Sequence, residues 1–89
     1  MSTLPLKLRK NGFDYTQVLR EGRKAIYEQR ASEICLYYEV FIIRTRPERN
    51  FKGKILPAKE VYPSNEDFGK TAWTCLSYEK ALEKFNSLD

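Results

Sequence analysis

The sequence contains no histidine, only two cysteines, and four isolated glycines. Without histidine, the commonest general base is missing, and with it the usual catalytic triads and most zinc and iron sites. Cys35 and Cys75 lie far apart in apolar, strand-like surroundings. They read as reduced, partly buried thiols, with a single structural disulfide as the alternative. Gly12, Gly22, Gly53 and Gly69 never cluster, so no phosphate-cradling loop of the P-loop or dinucleotide type is present. No run is long enough to cross a bilayer: the most apolar stretch, Ile34 to Ile43, is interrupted by Glu39. Met1-Ser2-Thr3-Leu4-Pro5-Leu6 lacks a charged start and a long apolar core, which is not the pattern of a signal peptide. Together these absences point to a soluble cytoplasmic protein with no membrane partner, no cofactor and no metal, and to a non-enzymatic role.

What is present suits one small domain spanning residues 1–89. Of the 89 residues, 42% are hydrophobic, and six Tyr, five Phe and one Trp supply large apolar bodies. A chain of this length buries about 60–65% of its extended surface, enough for one modest core. The net charge of +4 is uneven: residues 1–56 hold twelve Lys/Arg against six Asp/Glu, and residues 57–89 hold four against six. Such asymmetry is compatible with a nucleic-acid-facing half or with electrostatic self-association.

Along the chain, residues 1–12 read as a basic, partly ordered arm ending in the Asn11-Gly12 turn. Phe13 to Glu21 is rich in aromatic and β-branched residues and predicts a strand. Gly22-Arg23 then predicts a tight turn, with glycine in the first central position supplying the positive φ. Lys24 to Arg30 returns, placing Leu19 opposite Ile26. Ile34 to Arg46 is the clearest strand: Leu36, Tyr38, Val40 and Ile42 face one way, and Tyr37, Glu39, Phe41 and Ile43 the other. Apolar residues on both faces predict a central strand, ended by Pro47. A short apolar piece follows at Lys54-Ile55-Leu56. Ser64 and Asp67 have the spacing of a capping box, and Gly69 stops that turn. Thr71 to Leu76 predicts a strand with Trp73 as its largest buried side chain. Ser77 caps a final helix, whose Tyr78, Ala81, Leu82, Phe85 and Leu88 form one apolar stripe. The expected fold is therefore α+β: a four- or five-stranded, mainly antiparallel sheet with a C-terminal amphipathic helix packed on one face.

Few constellations carry chemistry. Glu39, flanked by apolar residues, is an acid whose pKa burial would raise; the alternative is pairing with a Lys or Arg at a sheet edge. Glu60, Glu66 and Asp67 are the only acids that could gather around a cation, and a solvated loop is the simpler account. The suggestive surface is Arg44, Arg46, Arg49, Lys52 and Lys54 with Phe51 among them, opposed only by Glu48. Cations neutralise phosphates and an exposed aromatic stacks on a base, so this segment is the candidate nucleic-acid site, with Lys7, Arg9 and Lys10 extending its field. The second candidate is a protein-binding or homodimer surface built from Tyr62, Phe68 and Trp73, or from a sheet edge, with the alternative that these aromatics pin their own loop.

Tyr38-Glu39-Val40, the run Glu60-Val61-Tyr62-Pro63-Ser64-Asn65-Glu66-Asp67-Phe68-Gly69-Lys70, then Ala72-Trp73-Thr74 and the closing Ala81, Phe85 and Leu88 resemble small proteins of Bacteroidetes-type bacteria and their phages or mobile elements. The resemblance covers about the last two-thirds of the chain. It implies a prokaryotic or phage origin and no established activity. A fainter likeness is to WGR-type DNA-binding modules, which also close a strand-rich domain with a Phe/Ala-patterned helix; here Trp73 is followed by Thr74 and Cys75, so the defining Trp-Gly-Arg is absent.

Overall fold

A computed structural model describes residues 3–88. Strands β1 (Lys7–Lys10), β2 (Phe13–Glu21), β3 (Lys24–Ala31), β4 (Ile34–Ile42) and β9 (Ala72–Cys75) form a five-stranded sheet in the order β1-β2-β3-β4-β9. Every pairing in it is antiparallel. Helix α1 (Tyr78–Ser87) packs on one face against β3, β4 and β9. The remaining strands, β5 (Arg44–Arg46), β6 (Arg49–Phe51), β7 (Lys54–Leu56) and β8 (Lys59–Val61), leave the sheet as a separate two-stranded ribbon.

The hairpins follow from their turn residues. Gly22 has φ +61° and joins Glu21 to Lys24, with Leu19 opposite Ile26 as the spacing predicts. That register changes beyond Val18, which bulges between Gln17 and Leu19. Asn11 and Gly12 both have positive φ (54° and 84°), the backbone of a type I′ hairpin turn. The expected arm therefore folds back: Lys7 to Lys10 pair with Thr16 to Phe13 as an edge strand. Its polarity hid it, but a charged edge strand is how a sheet avoids pairing with other chains.

Strand β4 lies between β3 and β9, and its two rows of side chains serve two cores. On the helix face, Val40 and Ile26 meet Ala81 and Phe85, with Leu19, Tyr38, Leu82 and Leu88 around them. On the other face, Phe41 and Ile43 join Tyr15, Ala25, Tyr27, Ala72 and Leu4. The helix is set at both ends. The Lys80 N–H donates to Ser77 Oγ at 3.2 Å, and Lys24 Nζ donates to the Phe85 and Leu88 carbonyls at 3.2 and 3.1 Å. A cation on carbonyls left over at a helix C-terminus satisfies acceptors and complements the dipole.

The expected strand from Ile34 to Arg46 is two strands. Ile43 is the break: it stays in the core, 1% exposed, and its N–H donates to the Arg23 carbonyl at 2.6 Å, while Arg44 begins the ribbon. No helix among the described residues is long and apolar enough to cross a membrane.

Phe85 is 1% exposed at the centre of the helix-face core. Phe85→Ala is expected to lower the free energy of unfolding by about 3–5 kcal/mol in urea titration, the usual result of emptying an aromatic site in a packed core. A loss below about 1 kcal/mol would show that the helix contributes little to the fold.

Candidate nucleic-acid interface

The ribbon is one hairpin in one register. Arg44, Thr45 and Arg46 pair with Val61, Glu60 and Lys59; Arg49, Asn50 and Phe51 pair with Leu56, Ile55 and Lys54. Continuing the first register inward leads directly to the second, so a single ladder is interrupted where Pro47 and Pro57 lack the N–H to sustain it. Lys52 and Gly53 close the tip with φ of 51° and 79°. Glycine meets the second of these without strain, and Lys52 adopts a conformation that an L-residue reaches at some cost.

Two interactions fix the root of the ribbon to the helix-free face of the sheet. Glu60 accepts both guanidinium nitrogens of Arg20, at 2.6 and 2.7 Å, and the Leu4 N–H at 2.9 Å. The Arg20 hydrogen bond is the main reason the Glu60 carboxyl is held down to about 2. Next to it, Tyr62 packs among Tyr15, Tyr27 and Phe41, with ring centroids 5.2, 5.2 and 4.9 Å away. Its hydroxyl donates to Glu39 Oε1 at 2.5 Å. Burial raises the Glu39 pKa, opposed by the Tyr62 hydrogen bond and by Lys10. The same burial, with the Glu39 charge beside it, pushes the Tyr62 phenol far up. The partner of Glu39 is thus a tyrosine hydroxyl in the interior, in place of the Lys or Arg at a sheet edge that was the alternative.

The five cations expected to act together divide. Arg44 bonds Asp67, Nη2 to Oδ2, at 3.3 Å, and Asp67 also accepts the Ser64 N–H at 2.9 Å, completing the expected capping box. Arg46 is half-buried, with no hydrogen-bond partner for its Nε among the described residues. Arg44 and Arg46 line a groove of about 320 Å³ with Thr45, Pro47 and Val61. Arg49, Lys52 and Lys54 stand on the outer ribbon, where every residue from 47 to 55 is exposed. None of the three makes an ion pair among the described residues. Phe51 is 54% exposed, with Arg49 and Lys52 placed 5.9 and 5.5 Å from its ring centre. Lys59, opposite Arg46, adds an exposed cation that the sequence reading left out; its signal was the strand pairing itself. The N-terminal cations do not extend this group as a unit. Arg9 bonds Asp14 at 2.9 Å, and Lys10 donates to the Pro63 carbonyl at 3.3 Å with its charge 4.9 Å from the Tyr62 ring centre.

The second candidate surface does not assemble. Tyr62 and Phe68 pack on the helix-free core, and Trp73 lies on the opposite face, level with Val40 and covered by Lys84 with Nζ 4.0 Å from the ring centre. Trp73 is only half-buried; Ala72 is the fully buried residue of its strand. Glu60, Glu66 and Asp67 likewise stay apart: Glu60 serves Arg20, Asp67 serves Ser64 and Arg44, and Glu66 is exposed. Both cysteines are free thiols, and burial raises the Cys75 pKa. Comparison of the chain with protein-family models, curated proteins and solved structures finds no match.

The half-buried Glu60 and the buried Glu39 have opposite linkage to pH. Glu60, depressed in the folded state, adds stability above the ordinary carboxylate value of about 4.3 and loses it as the pH falls toward about 2. Glu39, raised by burial, adds stability below that ordinary value and loses it as the pH rises through its folded pKa. Glu60→Gln is expected to lower the urea midpoint at neutral pH and to flatten its fall in acid. Glu39→Gln, which keeps an acceptor for the Tyr62 hydroxyl, is expected to raise the midpoint at neutral pH. Midpoints measured from about pH 2 to 7 that moved the same way in both variants would contradict this assignment.

Proposed function

We propose that this domain is a non-enzymatic binding module that holds nucleic acid through its ribbon. The observation that carries the reading is the exposed hairpin of residues 47–55, which presents Arg49, Lys52 and Lys54, without ion pairs among the described residues, around Phe51. Lys59 on the returning strand and Arg46 at the root continue the cationic surface inward, while Arg44 is held by Asp67. Cations on a projecting two-stranded ribbon reach phosphates without requiring the sheet to approach the ligand. The scarcity of acids on the ribbon supports the same reading, since Glu60 is neutralised by Arg20 and only Glu48 remains.

A second reading, protein binding or self-pairing at the sheet edge, draws on a different observation. Strand β9 is an edge, and Leu76 and Ile34 are 80% and 65% exposed. Unlike β1, the edge Ala72-Trp73-Thr74-Cys75 carries no charge to discourage a further strand. A concentration-dependent mass in sedimentation would favour this reading, and it is compatible with a ribbon that binds separately.

Fluorescence-anisotropy titrations at about 50 and 200 mM salt are expected to show affinity falling steeply with salt. The triple variant Arg49→Glu, Lys52→Glu, Lys54→Glu removes three candidate phosphate contacts. On B-form DNA it should reduce the slope of log K against log salt by about 2.7, at about 0.9 per phosphate neutralised. Absence of binding to single-stranded DNA, duplex DNA and RNA at the lower salt would end the proposal.

A further inference from the structure

Resting on the reading just given, we infer that the ribbon's ligand is duplex DNA, and that its tip wedges Phe51 and Ile55 between base pairs and bends the helix. Two large apolar side chains stand outside both cores. Phe51 and Ile55 are 54% and 68% exposed beside the Lys52-Gly53 turn. In the ladder Phe51 is opposite Lys54 and Ile55 is opposite Asn50, so the two apolar groups project from opposite faces of the ribbon near its tip. Among the described residues, neither belongs to either core or to the partly buried side chains packed against it.

Their setting states what they fit. Arg49 and Lys54 share the Phe51 face of the ribbon and Lys52 lies in the turn, and the cations of Arg49 and Lys52 sit close to the Phe51 ring. The complementary ligand has an apolar interior between two rows of negative charge. A base step in duplex DNA has that form: stacked bases between two phosphate backbones, into which architectural proteins insert Phe, Leu or Ile while arginines and lysines hold the strands.

Other nucleic acids fit less well. Single-strand binders lay successive bases on several aromatic side chains along a charged groove. Between Arg44 and Val61 there is one aromatic, Phe51, and Ile55 offers no stacking face. Duplex RNA has a deep, narrow major groove closed to side chains and a shallow minor groove read through its 2′-hydroxyls. Reach suits a duplex too: at about 3.3 Å per residue the strand from Arg44 to Lys52 spans about 26 Å, most of one helical turn of about 34 Å.

The test is a duplex of about 30 base pairs carrying a fluorescence donor and acceptor at its ends, titrated at about 50 mM salt. Saturating the duplex with the wild-type domain is expected to increase energy transfer, reporting a bend within the range of about 20–90° produced by side-chain wedges. The double variant Phe51→Ala, Ile55→Ala should bind within about tenfold of wild type with the same salt slope, because no phosphate contact is lost, yet leave transfer at the value of free DNA. Phe51→Leu with Ile55 kept, which retains an apolar wedge, should restore the bend; it also shows that the ribbon survives substitution at that position. Three results would overturn the inference while leaving nucleic-acid binding in place: salt-dependent binding by wild type with no change in transfer, a bend that persists in the double variant, or single-stranded DNA or duplex RNA bound as tightly as duplex DNA. Absence of salt-dependent binding to any of them removes the broader reading as well.

Discussion

The packing of Tyr62 against Tyr15, Tyr27 and Phe41, with its hydroxyl on the buried Glu39, is the contact on which the arrangement of this protein turns. The sheet has one helix and two faces to cover. On the face without a helix, an aromatic side chain from the connection after the ribbon supplies the missing layer, and edge-on aromatic packing adds to its area burial. A carboxylate in such a place is costly unless it is hydrogen-bonded, which explains why the covering residue is tyrosine and not phenylalanine. The same residue follows directly on β8, so the element that completes the core also fixes where the ribbon leaves it.

This dual role sorts the basic residues by what they do. Arg20 holds Glu60, Lys24 closes the end of the helix, Arg44 holds Asp67, and Lys10 lies against Tyr62. Each is committed to the fold. The cations on the outer ribbon have no such engagement among the described residues, and they are the ones farthest along an exposed hairpin. A net charge of +4 is modest; gathering several uncommitted cations on one projecting element is what gives the charge a direction.

Much of the fold was legible in the sequence because its signals were local. The stripe from Tyr78 to Leu88, Ser77 as its cap, the Gly22 turn and the two-faced pattern of β4 each required only neighbouring residues. What sequence reasoning missed depended on partners far away in the chain. Lys7 to Lys10 carry no apolar alternation, and only the presence of β2 makes them a strand. Trp73 has the composition of a core residue, but the strand register places it at the rim under Lys84 while Ala72 takes the interior. The basic segment was visible as a cluster of charge. Its shape was not, because Pro47 and Pro57 disguise a continuous hairpin as loop, and Lys59 joins the group only through pairing across it.

Those prolines carry a consequence for the chain's behaviour at high concentration. A hairpin standing free in solvent exposes two unprotected backbone edges, and such edges recruit other strands into aggregates. With one proline on each strand, Pro47 near the middle of the outgoing half and Pro57 near the middle of the returning one, neither edge offers an unbroken row of donors to an incoming chain. The same interruption that makes the ribbon hard to recognise lets an isolated piece of β-structure remain solitary, so that its cations and its apolar tip stay available to a ligand instead of being consumed by neighbouring copies.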